Sequence, residues 1–181
     1  SYILATMASK GKITLNNINI DDLAFPLGIY QSMGLKIKQI STITYEFSCP
    51  NLKSVKNIKT KEFPGYPTDL QAQLIASLLK VGQKSKITEN IFENRFIHIP
   101  ELRRFGAQLE IEGNTVVINK TNELFGAEVM ATDIRASFSL IIAAIISKGT
   151  TTINRIYHLD RGYEDFDLKL KKCGVNIKRK K

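Results

Sequence analysis

Apolar and polar positions fall into two kinds of segment along the chain. Residues 137–147 contain only serine, alanine and large apolar side chains, among them Phe138, Leu140, Ile141 and Ile142. A helix with no polar face has to be buried on every side. Residues 70–79 and 2–8 read in the same way. By contrast, Tyr163, Phe166, Leu170 and Cys173 recur at helical spacing with Glu, Asp and Lys between them, which predicts a surface helix with one buried stripe. Alternation marks the strands. Gln108-Leu109-Glu110-Ile111-Glu112, the turn Gly113-Asn114, and Thr115-Val116-Val117-Ile118-Asn119 together predict a hairpin.

These segments recur. An apolar helix, a strand, an amphipathic helix and a strand entered through glycine appear three times, in repeats of approximately 1–60, 61–122 and 123–181. The glycines of entry, Gly34, Gly106 and Gly174, lie 72 and 68 residues apart, where a helix end needs a left-handed residue before the chain turns into a strand. Thr68-Asp69-Leu70-Gln71-Ala72 opens the second apolar helix and Thr132-Asp133-Ile134-Arg135-Ala136 the third. The first copy has no such segment. On the spacing of the third copy its aspartate would fall about five residues before Ser1, so the chain is expected to begin inside a repeat. The predicted architecture is an α/β domain of pseudo-threefold symmetry, with three buried helices at its centre and small sheets and outer helices around them.

Composition narrows the function classes. Hydrophobic residues make up 43% of the 181 and charged residues 24%, an ordinary globular mix that excludes extended disorder. The longest apolar run, residues 140–146, is far short of the roughly 20 needed to span a bilayer. The first residues have neither a basic stretch nor a small-residue cleavage site, so no secretory signal is expected. Two cysteines, Cys49 and Cys173, are too few for a disulfide framework or a cysteine zinc site, and a reducing, cytosolic location is the simplest reading. His98 and His158 stand in no metal-ligand spacing. The net charge of +9 comes without a helix-turn-helix, an RNP-like stretch or a finger motif. Nucleic acid is therefore not the expected partner, although a basic cleft would also concentrate a small anionic substrate.

The candidate chemistry lies at the helix entrances. Asp69 and Asp133 have two readings. Thr68 with Gln71 makes a Thr-x-x-Gln capping box, and an aspartate in a first turn complements the helix macrodipole. Alternatively, equivalent helix N-termini converge on one place where free N–H groups bind an anion. Two further segments, residues 91–96 and 160–164, are read as strand-to-helix junctions. Arg95, Arg135 and Arg161 stand out in a chain that otherwise prefers lysine. Arginine offers a rigid fork for carboxylate or phosphate; the competing reading is surface ion pairs with Glu93, Asp133 or Glu164. Neither cysteine has a basic neighbour in sequence that would make it a nucleophile.

The segments Pro67-Thr68-Asp69-Leu70-Gln71-Ala72-Gln73, Ile91-Phe92-Glu93-Asn94-Arg95-Phe96, Val129-Met130-Ala131-Thr132-Asp133-Ile134-Arg135-Ala136-Ser137 and Arg155-Ile156-Tyr157-His158-Leu159-Asp160-Arg161-Gly162-Tyr163-Glu164 closely resemble the C-terminal part of the UDP-N-acetylglucosamine 1-carboxyvinyltransferase family of enolpyruvyl transferases. The resemblance covers the whole chain. It implies the inside-out α/β barrel of that family, with two such domains and an active site between them. It also implies enolpyruvyl transfer from phosphoenolpyruvate to the 3′-hydroxyl of UDP-N-acetylglucosamine, through a tetrahedral intermediate and without a cofactor, as the first committed step of peptidoglycan synthesis. By the same resemblance Asp69 contacts the sugar hydroxyl and acts as its general base, and Ile91 meets the nucleotide sugar through its backbone. Arg161 binds phosphoenolpyruvate, and Arg95, Asp133 and Arg135 occupy other active-site positions. The family's cysteine loop, lysine-asparagine pair and diphosphate-binding loop lie in a region this chain does not contain. Its expected partner is therefore the N-terminal domain, and alone it is expected to be inactive. Phe138 departs from the usually small residue at its position. An enzyme like 5-enolpyruvylshikimate-3-phosphate synthase, or a non-catalytic module of the same fold, remains the alternative.

Overall fold

The computed structural model describes residues 1–180; Lys181, the last residue of the basic tail, lies outside the described residues. Helix α1 (Tyr2–Ser9) is followed by β1 (Lys12–Leu15), α2 (Ala24–Ser32), β2 (Lys36–Ser41) and β3 (Thr44–Ser48). Next come β4 (Asn57–Lys59), α3 (Gln71–Leu78), β5 (Ser85–Thr88), α4 (Ile99–Arg104), β6 (Leu109–Glu112) and β7 (Thr115–Ile118). The last group is β8 (Glu128–Met130), α5 (Ile134–Ile146), β9 (Thr152–Asn154), α6 (Tyr157–Asp160) and α7 (Phe166–Lys172).

The three apolar segments are the inner helices α1, α3 and α5, and each touches the other two. Every residue of α3 is buried, as is the run from Ala136 to Ala143 in α5. Hydroxyls inside this bundle are satisfied by their own helix: Thr6 Oγ1 donates to the Tyr2 carbonyl (3.0 Å), Ser77 to Leu74 (2.8 Å), and Ser139 to Ala136. A serine or threonine that bonds back to the preceding turn needs no partner elsewhere, which is why these helices tolerate polar residues at the centre. Three sheets pack outside them. The first has the order β1-β3-β2, all antiparallel, with Ile13 opposite Phe47. The second has the order β4-β5-β7-β6, in which β4 runs parallel to β5 and the predicted hairpin forms β6 and β7. The third is the parallel pair β8 and β9.

Two expectations are corrected. The stretch entered through Gly174 does not become a strand. In the first two sheets the strand after the glycine pairs only with the return strand of its hairpin, and none follows Gly174 among the described residues. Phe166 and Leu170 form the buried stripe of α7, but Cys173 is exposed rather than part of it, because α7 ends at Lys172 and the chain turns away. No helix among the described residues is long and apolar enough to cross a membrane.

Phe138 is fully buried, stacked on Tyr163 at 4.5 Å between ring centroids and edge-on to Tyr2 at 5.4 Å. It thereby joins α5 to α1 and to the segment after α6. Replacing Phe138 by Ala should cost about 3–5 kcal/mol in urea unfolding, through lost transfer energy and the cavity left behind. Gly34 and Gly174 test the turns. Both have φ near +90° to +105°, but a Cβ at Gly34 would lie 2.4 Å from the Asn51 carbonyl oxygen, and one at Gly174 would meet nothing. Gly174→Ala should cost about 1–2 kcal/mol, the left-handed penalty alone; Gly34→Ala should cost clearly more in the same unfolding measurement.

Candidate functional site

The inner helices begin at one end of the molecule. Ser1 Oγ, at the start of α1, lies 2.6 Å from Tyr163 Oη, and Gln73 Nε2 in the first turn of α3 is 3.4 Å from both. Tyr163 in turn stacks on Phe138 of α5. The entrances of α3 and α5 are joined directly, because the Asp69 carboxylate pairs with Arg135 Nε.

The two matching aspartates have different roles there. Asp133 is the N-cap of α5, its Oδ1 accepting from the backbone N–H of Arg135 (2.8 Å) and of Ala136 (2.9 Å). Asp69 sits in the middle of a 3₁₀ turn, Thr68–Leu70, and caps nothing. Its Oδ1 faces Arg135 Nε and Arg95 Nη2, the latter at 3.5 Å, and its side chain is 55% exposed. The capping box expected of Thr68 and Gln71 is absent. Thr68 Oγ1 donates instead to Glu89 Oε2 at 2.7 Å, and Gln71 Nε2 is buried without a partner among the described residues. The Arg95 guanidinium also lies over the Phe92 ring, 4.7 Å from its centroid, a cation–π contact that limits where it can swing.

Arg95 also belongs to a cleft of about 730 Å³ lined by Glu89, Ile91, Phe92, Ile111 and Asn114 among others. Asp69 and Arg135 lie outside its lining, so Arg95 is the link between cleft and carboxylate. The Ile91 N–H donates to Glu89 Oε1 at 2.8 Å, whereas its carbonyl accepts no hydrogen bond among the described residues. Across the cleft Asn114 Nδ2 donates to Asn90 Oδ1 at 3.2 Å. Arg161 is exposed just beyond α6 and makes no ion pair among the described residues. It follows a short helix, not a strand. Its neighbour Gly162 packs so closely on α5 that a Cβ there would lie 2.5 Å from Ile134 Cγ2, which keeps Arg161 beside the same helix entrance without touching Asp69. The structure thus joins Asp69, Arg95 and Arg135, caps α5 with Asp133, sets Ile91 in the cleft wall and leaves Arg161 apart. The competing ion pairs do not form. Arg95 and Arg135 pair with Asp69 and not with Glu93 or Asp133, and Glu164 pairs with Lys169 at 3.2 Å.

Sequence reasoning missed Glu89 and its partner Thr60, and gave Thr68 a capping role in place of the bond to Glu89. The one available signal was an acidic residue at the end of a strand, directly before the segment 90–96. His98 is 1% exposed, and neither ring nitrogen is hydrogen-bonded among the described residues. Burial lowers its pKa to about 4, against the smaller opposing pulls of the Asp133 carboxylate and the Arg95 carbonyl, so it is neutral near pH 7. Cys49 is buried at the end of β3 and its thiol is pushed up by that burial.

The body that carries these arginines and the accessible Asp69 carboxylate has the fold of the enolpyruvyl transferases. The enolpyruvyl transferase NikO from Streptomyces tendae matches with a TM-score of 0.81 over 98% of this chain and 43% of its own, at 23% sequence identity. EPSP synthase from Acinetobacter baumannii matches with a TM-score of 0.71 over 94% of this chain and 44% of its own, at 14% identity. Residues 1–170 match the family of EPSP synthase (3-phosphoshikimate 1-carboxyvinyltransferase), and the chain belongs to that family. Its curated relatives include the UDP-N-acetylglucosamine 1-carboxyvinyltransferases of Pelagibacter ubique, 45% identical over 179 residues, and Campylobacter lari, 46% identical over 180. The alignments cover 99% of this chain and 43% of each relative, so the chain spans less than half the length of these proteins.

Two outcomes follow for the site residues. Asp133→Ala should cost about 1 kcal/mol of stability through loss of the cap, whereas Asp69→Asn should be nearly neutral in the same urea titration, because Asp69 caps nothing. For His98 the folded state holds the ring neutral, and the unfolded chain protonates it near pH 6.5. Its contribution is therefore complete above pH 6.5 and is lost as the pH falls toward about 4, a change on the order of 3 kcal/mol. Unfolding followed from pH 7 to 5 should show this slope in the parent chain and a flatter one in His98→Asn.

Proposed function

We propose that this chain forms one wall of the active site of a UDP-N-acetylglucosamine 1-carboxyvinyltransferase acting in peptidoglycan synthesis, the other wall belonging to the part of the relatives that the chain does not span. The observation that carries this reading is the half-exposed Asp69 carboxylate, which is not used as a cap and lies between Arg95 and Arg135 at converging helix entrances. It occurs in a chain 45% identical to enzymes of that name. In the proposed reaction the 3′-hydroxyl oxygen of UDP-N-acetylglucosamine bonds to C2 of phosphoenolpyruvate as its C2–C3 double bond opens. Asp69 takes the hydroxyl proton, and C3 takes one from an acid on the other wall, whose conjugate base removes a C3 proton in the second step. The resulting tetrahedral adduct then loses phosphate from C2 and a proton from C3, which restores the double bond on the transferred group. A general base must lie within hydrogen-bond reach of the proton it removes. The pairing with two guanidinium groups holds Asp69 charged side outward for that purpose. Arg95, Arg135 and Arg161 supply positive charge for the carboxylate and phosphate of phosphoenolpyruvate, where a water-poor cleft strengthens such interactions.

The test is phosphate release from phosphoenolpyruvate with UDP-N-acetylglucosamine, using the chain alone and then mixed with a separately made N-terminal half. The chain alone should be silent and the mixture active, with no release when shikimate 3-phosphate replaces the nucleotide sugar. In the active mixture Asp69→Asn should lower kcat by at least about 100-fold, the low end for loss of a general base. Silence of the mixture with both halves folded and associated would instead make the chain a binding module.

A further inference from the structure

We propose that Glu89 is the positioning residue of this site, holding the turn that presents Asp69 in register with the loop that carries Ile91 and Arg95; the proposal rests on the enolpyruvyl-transfer reading above. Glu89 follows β5 directly, and its backbone N–H donates to the Asn114 carbonyl at 2.8 Å. The residue is 3% exposed. Its Oε1 accepts from Thr60 Oγ1 (2.8 Å), the Ile91 N–H (2.8 Å) and the Phe92 N–H (3.2 Å), and its Oε2 accepts from Thr68 Oγ1 (2.7 Å). Four donors thus serve the carboxylate, three on Oε1 and one on Oε2, and no cation pairs with it among the described residues. A buried carboxyl group left without hydrogen bonds is costly, so the three segments that supply the donors are tied together by its needs. Thr60 ends the β4 edge, Thr68 adjoins Asp69, and Ile91 and Phe92 open the loop whose Arg95 lies over Phe92 and reaches Asp69. A closed ring results, from Glu89 through Thr68 and Asp69 to Arg95, then through Phe92 back to Glu89. At 3% exposure and held by four donors from three segments, Glu89 acts through Asp69 and the loop.

Two variants of the chain test this. Glu89→Ala removes the anchor. Glu89→Gln keeps an oxygen for Thr60, Ile91 and Phe92, and its amide nitrogen can donate to Thr68, whose hydroxyl rotates to accept. In Glu89→Ala, amide hydrogen exchange at Ile91 and Phe92 should quicken roughly ten- to hundredfold, as expected for lost bonds to a charged group, while Ile87 and Val116 in the strands behind keep their protection. In the mixture with the N-terminal half, kcat/KM should fall at least about tenfold, mostly in kcat, because the base is displaced from its proton. Glu89→Gln should recover most of both. Unchanged exchange at Ile91 and Phe92, equal loss of protection at Ile87 and Val116, an unaltered kcat in Glu89→Ala, or a Glu89→Gln variant as impaired as Glu89→Ala would each overturn the proposal. Silence of the unmutated mixture would overturn the enolpyruvyl reading instead, and the exchange data would still decide whether Glu89 anchors the loop.

Discussion

Mutual burial of α1, α3 and α5 sets the geometry of everything else in this chain. None of the three has a polar face to give to water, so each must be enclosed by the other two and by the sheets around them. Their hydroxyls turn back onto their own helices, so those hydroxyls need no partner on a neighbouring helix. The contacts among Ser1, Gln73, Tyr163 and Phe138 and the pairing of Asp69 with Arg135 show that the helices enter this bundle from the same side. Three helix entrances are thereby gathered at one end, each a positive dipole end whose first N–H groups need acceptors.

What the chain does with those entrances depends on how their needs are met. At α5 the Asp133 side chain satisfies the first N–H groups and is consumed in doing so. At α3 the chain arrives through a 3₁₀ turn, and the hydroxyl that would have capped it is drawn to Glu89. Asp69 is left facing outward, its charge balanced by two guanidinium groups instead of helix N–H groups. The buried carboxylate therefore accounts for the exposed one. The buried acid takes the threonine, and the neighbouring aspartate stands exposed beside Arg95 and Arg135.

Much of this was legible in the residues. All-round apolar stretches gave the inner helices, alternation and Gly113-Asn114 gave the β6–β7 hairpin, and the paired Thr-Asp segments with three unusual arginines marked the helix entrances. Those signals are local, since periodicity and turn chemistry depend on near neighbours. The strand expected after Gly174 failed for a non-local reason: a strand needs a partner, and the residues beyond that glycine have none among those described. The capping box at Thr68 failed for the same kind of reason, because Glu89, distant in sequence, offered its hydroxyl a better acceptor.

The sequence by itself determined which helices are buried, where the chain turns and which side chains stand at the helix entrances, because each follows from spacing along a single segment. Only the tertiary structure decided that Asp69 meets Arg95 and Arg135, that Asp133 is spent as a cap, that Arg161 stands apart, and that Glu89 binds three segments at once. Those outcomes depend on competition among donors and acceptors far apart in the chain, and that competition is resolved only when the inner helices bring their ends together.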